Sequence, residues 1–360
     1  MKIVVCPDSF KGSLSAQKVT QVISETLKEE FQNLEIIELP LADGGEGSAE
    51  IIKSHLFNNV VYTSSHDPLN RKIKVKFYTD STYRKAFVES AEIIGLPLLG
   101  LEERNPLEAA TFGLGEVIKD IIEMGIKEII VSLGGSATCD GGTGMMEALK
   151  GCDIRNINFK ILCDVTNPLL GDNGAVNVFA PQKGARPEDL PLLEKRLVDM
   201  ATEIKKQGIC TDADLSKEGS GAAGGLGFAF QTILKAETFK GIEYILDMVN
   251  FKDKIDGADL IITGEGKIDK QSLMGKVISG VLNEAKKKKI PVMALGGIIE
   301  NKEELYKAGL KDLYEISDHN FSITENMKED KTIKNIRKAI KEMLKNNIFE
   351  QFKYKLQGFD

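Results

Sequence analysis

A chain of 360 residues is long enough for roughly two domains at about 150 residues each, so it can bury substantial cores and is no stapled miniprotein. With 47 Lys+Arg against 54 Asp+Glu the net charge is −7, which argues against a general nucleic-acid binder, because phosphate neutralisation needs a concentrated basic surface. Glycine is in excess, with 34 residues gathered in clusters instead of a low-complexity tract, and those clusters are where function is sought.

Residues 2–6 are continuous and β-branched and end at Pro7-Asp8-Ser9, the pattern of a buried parallel strand running into a loop. Ser15 then caps a predicted helix in which Val19, Val22, Ile23 and Leu27 recur at helical spacing. A second strand over 34–39 closes on Pro40 and passes through ADGGEGS into a helix with Ile51, Ile52 and Leu56, giving a βαβα opening. Strands over 60–64, 72–78 and 85–89 are too close together for crossover helices and are predicted to form hairpins. A second α/β body follows, with a helix over 107–124, a strand over 128–133, a glycine-rich loop and helix at 141–149, a strand over 160–163 and a long amphipathic helix over 187–206. Near residue 254 the first alternation returns. Strands over 259–263, 292–295 and 313–316 accompany helices over 276–288 and through Ile333, Ile336, Ile340 and Leu344.

Two early strands and three late ones predict an α/β fold: a discontinuous doubly wound parallel sheet over 1–59 and 255–360, interrupted by an α/β domain over 60–254. The alternative is two sequential domains cut near residue 150, but the early βαβα unit has too few strands to close a core alone. Cys6, Cys139, Cys152, Cys163 and Cys210 form no CxxC pair, which fits a reduced cytoplasm. The apolar run at the N-terminus is too short for a signal peptide, and no run is long enough to span a bilayer. His55, His66 and His319 stand in no triad or HExxH pattern, so zinc and histidine-centred chemistry are not expected.

In a doubly wound sheet the ligand sits beyond the carboxyl ends of the strands, at the switch point. Those ends are PDSFKGS, with Asp8, Ser9, Lys11 and Ser13, and GEGKID, with Gly264, Glu265, Gly266, Lys267 and Asp269. Acids and lysines at both mouths fit a polyanionic ligand with a divalent cation, although Lys11 alone reads equally well as an ordinary exposed lysine. LADGGEGS sets Asp43, Gly44, Gly45 and Glu46 at a helix start, where free N–H groups bind an anion or the acids merely compensate the dipole.

GGSATCDGGTG, carrying Gly134, Gly135, Ser136, Asp140, Gly141 and Gly142, lies between a strand and a helix, the setting of a phosphate-binding loop. It is not a Walker A motif, and GxGxxG is absent as well. GSGAAGGLGFA directs Gly221, Gly224 and Gly225 either to a nucleotide or into close packing. Asp164 and Asn167 of CDVTNPLLG are hard oxygen donors of the type Mg²⁺ accepts beside phosphate, and Lys183 of APQKGA adds a cation. Together these loops favour phosphoryl transfer.

In this order, PDSFKGS, ADGGEGS, GGSATCDGG, CDVTNPLLG, FAPQKGA, GSGAAGGLGF and ITGEGKID resemble the signature of the glycerate kinase family of bacterial sugar-acid pathways, over nearly the whole chain. The resemblance implies ATP-dependent phosphorylation of D-glycerate to 2-phosphoglycerate or 3-phosphoglycerate, with Mg²⁺. It also implies a discontinuous flavodoxin-like domain and an inserted domain of restriction-endonuclease-like fold.

Glycerate needs a cation for its carboxylate, a base at the attacking hydroxyl and a metal-neutralised triphosphate opposite. The expected roles are Lys11, with the Ser9 and Ser13 hydroxyls, for anionic groups, and Asp43 or Asp269 as general base. Asp164 with Asn167, or Asp8, would hold Mg²⁺. Asp8, Gly44, Gly45 and Glu46 complete the substrate site. Nucleotide falls to Gly134, Gly135, Ser136, Asp140, Gly141, Gly142, Lys183, Gly221, Gly224 and Gly225, and to Gly264, Glu265 and Gly266, across a cleft between domains. The expected partners are D-glycerate and ATP, with neither nucleic acid nor membrane, for a cytoplasmic monomer or homodimer. A non-catalytic sugar-acid sensor on the same scaffold is the alternative.

Overall fold

The computed structural model describes residues 1–31, 34–45 and 48–345. Glu46, expected at the substrate, lies outside the described residues. The chain divides into two compact units, one formed by Met1–Asp43 with the chain from Ile245 onward, the other by Gly44–Tyr244. The described strands, in chain order, begin with β1 (Lys2–Val5), β2 (Glu35–Glu38), β3 (Asn59–His66), β4 (Lys72–Thr79) and β5 (Lys85–Glu89). They continue with β6 (Glu128–Ser132), β7 (Asn158–Leu162), β8 (Glu237–Phe239), β9 (Leu260–Ile268), β10 (Val292–Ile299) and β11 (Asp312–Glu315).

The first unit holds a parallel sheet in the order β11-β10-β9-β1-β2, which is the doubly wound, flavodoxin-like order with its switch point between β1 and β9. Strands buried on both faces read as unbroken apolar runs, as in the IVV of β1 and the LII of β9. Ile3, Val5, Leu260, Ile262 and Leu295 pack with Val19, Ile23 and Leu27 of helix Ala16–Glu30 and with Ile336 and Ile340 of helix Glu329–Met343. Ser15 caps the first of these helices, its Oγ accepting from the Lys18 N–H at 3.3 Å. Arg337 ties the two helices together by donating to Glu25 and Glu29. Helix Val277–Lys287 packs against β9 and β10.

One strand differs from expectation. The sequence ends it at residue 263 with GEGKID as a loop, whereas β9 continues through Ile268 because its pairing with β10 runs on from Glu265↔Gly296 to Ile268↔Ile299. Glycine makes this close approach feasible: a Cβ on Gly264 would stand 2.4 Å from the Leu295 carbonyl oxygen.

The second unit carries a sheet in the order β3-β4-β5-β6-β7-β8, with β3, β4 and β5 antiparallel and β5 to β8 parallel. Phe77, Val88, Ile129 and Ile161 pack there with Leu114, Ile118 and Ile121 of helix Phe112–Glu123. Helix Leu190–Lys206 buries Leu193, Leu197 and Ala201 in a separate cluster with Val176 and Phe228. Helix Ser48–His55 also belongs to this unit, so its boundary falls after Asp43 and not at residue 59. Its packing explains the difference: the helix contacts β5, and the Phe57 ring lies 6.2 Å from that of Phe87. At the other end the boundary follows Tyr244, ten residues before the expected 254.

All five cysteines are free thiols. Among the described residues no helix is long and apolar enough to cross a membrane.

Candidate functional site

Past β1 the chain stays hydrogen-bonded to β9, with the Asp8 N–H donating to the Gly264 carbonyl at 2.8 Å. It then turns tightly, since the Phe10 and Leu14 backbones pair with each other and Gly12 adopts a φ of +75°. This turn presents Asp8, Ser9, Lys11 and Ser13 to a cavity of about 510 Å³. β9 contributes Glu265, Gly266 and Lys267 to the same cavity, and Asp43 and Lys276 complete its charged end. The site thus stands at the carboxyl ends of the strands, at the switch point.

Asp8 is buried, and its carboxyl is pushed up to about 7, first by loss of solvent and then by the Asp43 charge. Glu265 adds to this push, while the Ser9 N–H, which donates to Asp8 Oδ1 at 2.6 Å, and Lys11 oppose it. Glu265 is buried too, and burial raises its carboxyl above the ordinary range against the pull of Ser272 and Lys276. Its Oε1 has no hydrogen-bond partner among the described residues. A cluster of acids held this way can take up a proton or a hard cation near neutral pH. Lys267 is already engaged, with its ammonium 3.4 Å from Asp269 and 3.1 Å from Glu300.

Asp269 does not line this cavity. Burial alone would raise its carboxyl, but the Gln271 N–H at 2.8 Å and Lys267 outweigh burial and hold it below the usual range. Asp269 is the cap of the short turn Lys270–Leu273, a role that leaves it poorly suited to accept a proton.

The remaining expected residues lie in the second unit. Lys183 is buried there and donates to Ser136 Oγ at 3.0 Å and to the Thr138 carbonyl at 2.7 Å, while burial lowers its ammonium below the ordinary lysine range. Asp140 is likewise engaged, accepting from the Thr111 N–H and hydroxyl and from the N–H groups of Gly142 and Gly144. The two glycine loops hold each other: Gly141 N–H donates to the Gly224 carbonyl at 3.0 Å, and a Cβ on Gly224 would stand 2.0 Å from the Thr138 oxygen. Gly225 lies against Gly141, Gly221 against Pro168, and the Gly135 carbonyl accepts from Leu96. Gly134 faces Gly45, whose carbonyl accepts from the Ser48 N–H, and Gly44 packs on Gly241. Asp164 Oδ1 accepts the Gly241 N–H at 2.8 Å and so ties its loop to the start of helix Gly241–Met248, whereas Asn167 donates to the Asn173 carbonyl within its own loop.

The sequence reading missed Lys276 and the far wall of the cavity, which comes from Ile298 at the end of β10 and from residues 316–335. That segment holds neither a glycine cluster nor a regular apolar period. Its one legible signal is Ser322 with Glu325, a capping box that opens a short helix at Ile323–Asn326.

Sheet and cavity together define an α/β protein with a charged cavity at the switch point of a doubly wound sheet. The model of the glycerate kinase family matches residues 3–155 and 150–346. Glycerate kinase of Bacillus subtilis strain 168 is 36% identical over 346 residues, covering 88% of this chain and 90% of that protein. Glycerate 2-kinase of Escherichia coli K12 is 38% identical over 326 residues, covering 82% and 85%. The crystal structure of a candidate glycerate kinase 2 from Salmonella typhimurium LT2 superposes with a TM-score of 0.82 at 33% identity, over 99% of each chain. The chain belongs to the glycerate kinase family, a family of enzymes.

Proposed function

We propose that this chain transfers the γ-phosphoryl group of ATP to the C2 hydroxyl of D-glycerate. The observation that carries the proposal is the cavity at the switch point, where Asp8, Asp43 and Glu265 meet Lys11 and Lys276. The name of the Escherichia coli relative, a glycerate 2-kinase, favours C2 over C3. The free cysteines suit a reducing cytoplasm.

Lys11 attracts the carboxylate of glycerate, and the Ser9 hydroxyl orients it. Asp8 is the base. With its carboxyl at about 7, a substantial fraction is ionised at neutral pH and the rest of the cavity keeps the proton-accepting form reactive. As the hydroxyl O–H bond breaks, its proton passes to Asp8, an oxygen–phosphorus bond forms, and the bond from the γ-phosphorus to ADP breaks. Asp43 acts on this step through its charge, by raising Asp8.

The donor set also fits Mg²⁺, which when bound with ATP neutralises charge on the phosphates. Glu265 Oε1, buried without a hydrogen-bond partner among the described residues, is the hard oxygen such an ion seeks, and Glu265 would hold it. Among the described residues no three His, Cys, Asp or Glu side chains form a complete cage, but Mg²⁺ usually keeps water and phosphate oxygens and needs only one or two carboxylates. Asp164 and Asn167 fit less well, because the loops around them already use their polar groups.

The test is release of ADP from ATP and Mg²⁺ with and without D-glycerate. Release that depends on glycerate supports the reading. Thermal stabilisation by glycerate with no release of ADP contradicts it and points to a sensor.

A further inference from the structure

The cavity is larger and more apolar than a three-carbon acid requires. Its volume of about 510 Å³ falls in the range that encloses a ligand of drug size, about 300–1,000 Å³. Beyond the acids and lysines its lining includes Ile298, Ile316, Phe321, Ile323 and Met327, interspersed with the polar Asp318 and His319. Several of these apolar side chains reach solvent, with Phe321 44% exposed, Ile323 65% and Met327 38%, and the Lys331 ammonium lies over one face of the Phe321 ring. The charged and apolar ends adjoin, since a Cβ on Gly12, next to Lys11, would stand 2.5 Å from Met327 Cε. Two hydroxyls fasten the wall to the turn, with Ser13 Oγ 2.6 Å from Thr332 Oγ1.

A ligand complementary to this cavity carries negative charge at one end and a sizeable apolar body at the other. Resting on the kinase reading, only one of the two substrates has that form: glycerate has no apolar body, whereas ATP joins a flat purine to a chain of phosphates. We infer that the apolar wall formed by Ile298 and residues 316–335 is the adenosine subsite, with the phosphates of the nucleotide directed toward Lys276. This assigns nucleotide recognition to the doubly wound unit. The glycine loops of the second unit, joined by the Gly141–Gly224 hydrogen bond and with the first held by Lys183, are then architectural. Buried contact between an apolar wall and a purine is a principal source of affinity at such sites, with a few polar groups fixing orientation. Asn335, which also lines the cavity, is one such group.

The test uses full-length protein and MgADP as the probe, with calorimetric titration of the parent, of the double variant Phe321→Ala/Ile323→Ala, and of Ile298→Trp, which fills the wall. The two truncated side chains are exposed enough that folding should survive, and thermal unfolding of each variant checks this. Expected is a loss of ADP affinity of about tenfold or more in both variants, with KM for ATP rising in parallel and KM for glycerate staying within about twofold. Parent-like ADP affinity in the folded variants, or no ADP binding by the parent, overturns the inference. If the parent phosphorylates glycerate while the variants bind ADP normally, the subsite is lost and the kinase reading stands. If the parent shows no turnover but the variants lose ADP affinity, the subsite stands and the kinase reading falls.

Discussion

The ammonium of Lys183 donates to the carbonyl oxygen of Thr138 at 2.7 Å, and only 3% of the Lys183 surface reaches solvent. A lysine held in this way fixes the loop around residues 134–142. Lys183→Ala should lower stability by about 2–4 kcal/mol, combining a cavity with an orphaned carbonyl. Lys183→Met preserves more volume and should lose less. Denaturant midpoints read both effects; a direct nucleotide contact would instead raise KM for ATP and leave the midpoint unchanged.

Asp8 couples catalysis to stability. Its carboxyl sits at about 7 in the folded protein against an ordinary 3.8, so between those values the folded state binds the extra proton. That contribution to stability is fully present below the unfolded value and is lost as pH rises through the folded one. Asp8→Asn has no such loss, so its stability relative to the parent should improve by roughly 2–3 kcal/mol between about pH 5 and about pH 9. Denaturation at the two pH values measures this difference, and a constant difference contradicts the shifted carboxyl. The same variant should lose about 10²–10⁴ in kcat if Asp8 is the base.

Asp43 pushes Asp8 up more than any other neighbouring charge. For an ionised base, kcat/KM of the parent rises with pH through about 7. Asp43→Asn should move that acid limb to lower pH while retaining measurable turnover, as pH–rate profiles of the two proteins will show. Loss of turnover at every pH would make Asp43 the base instead.

Much of the first unit was legible because each of its strands is a short apolar run followed by a helix, and five such units fix a doubly wound order. The extension of β9 through Gly264–Ile268 was hidden, since glycine there signals a loop locally while the pairing that keeps it a strand comes from β10, about thirty residues away. Helix Ser48–His55 looks like the continuation of a βαβα unit, and only packing such as Phe57 on Phe87 assigns it to the second unit. Switch-point logic points to Asp8, Lys11 and Glu265, and all three line the cavity at the carboxyl ends of β1 and β9. Several glycines of the two loops, such as Gly141, Gly224 and Gly225, make close backbone contacts, which composition does not distinguish from a phosphate cradle. The apolar wall passed unnoticed because Phe321, Ile323 and Met327 converge only through a short irregular segment.

Gly224 tests the architectural role of those loops. With a φ of +69° and a prospective Cβ 2.0 Å from the Thr138 oxygen, Gly224→Ala combines backbone strain with a collision. Stability should fall by about 2 kcal/mol or more, seen as a lower thermal midpoint. An unchanged midpoint would mean that the two loops are not held in this contact.

The most direct test of the central claim is phosphorus-31 and carbon-13 NMR of the product formed from D-glycerate, ATP and Mg²⁺. Expected is a phosphoglycerate, formed in step with ADP, whose proton-coupled phosphorus signal is a doublet from the single C2 hydrogen. Absence of any phosphoglycerate would contradict the kinase reading, and a triplet from the two C3 hydrogens would contradict the choice of hydroxyl.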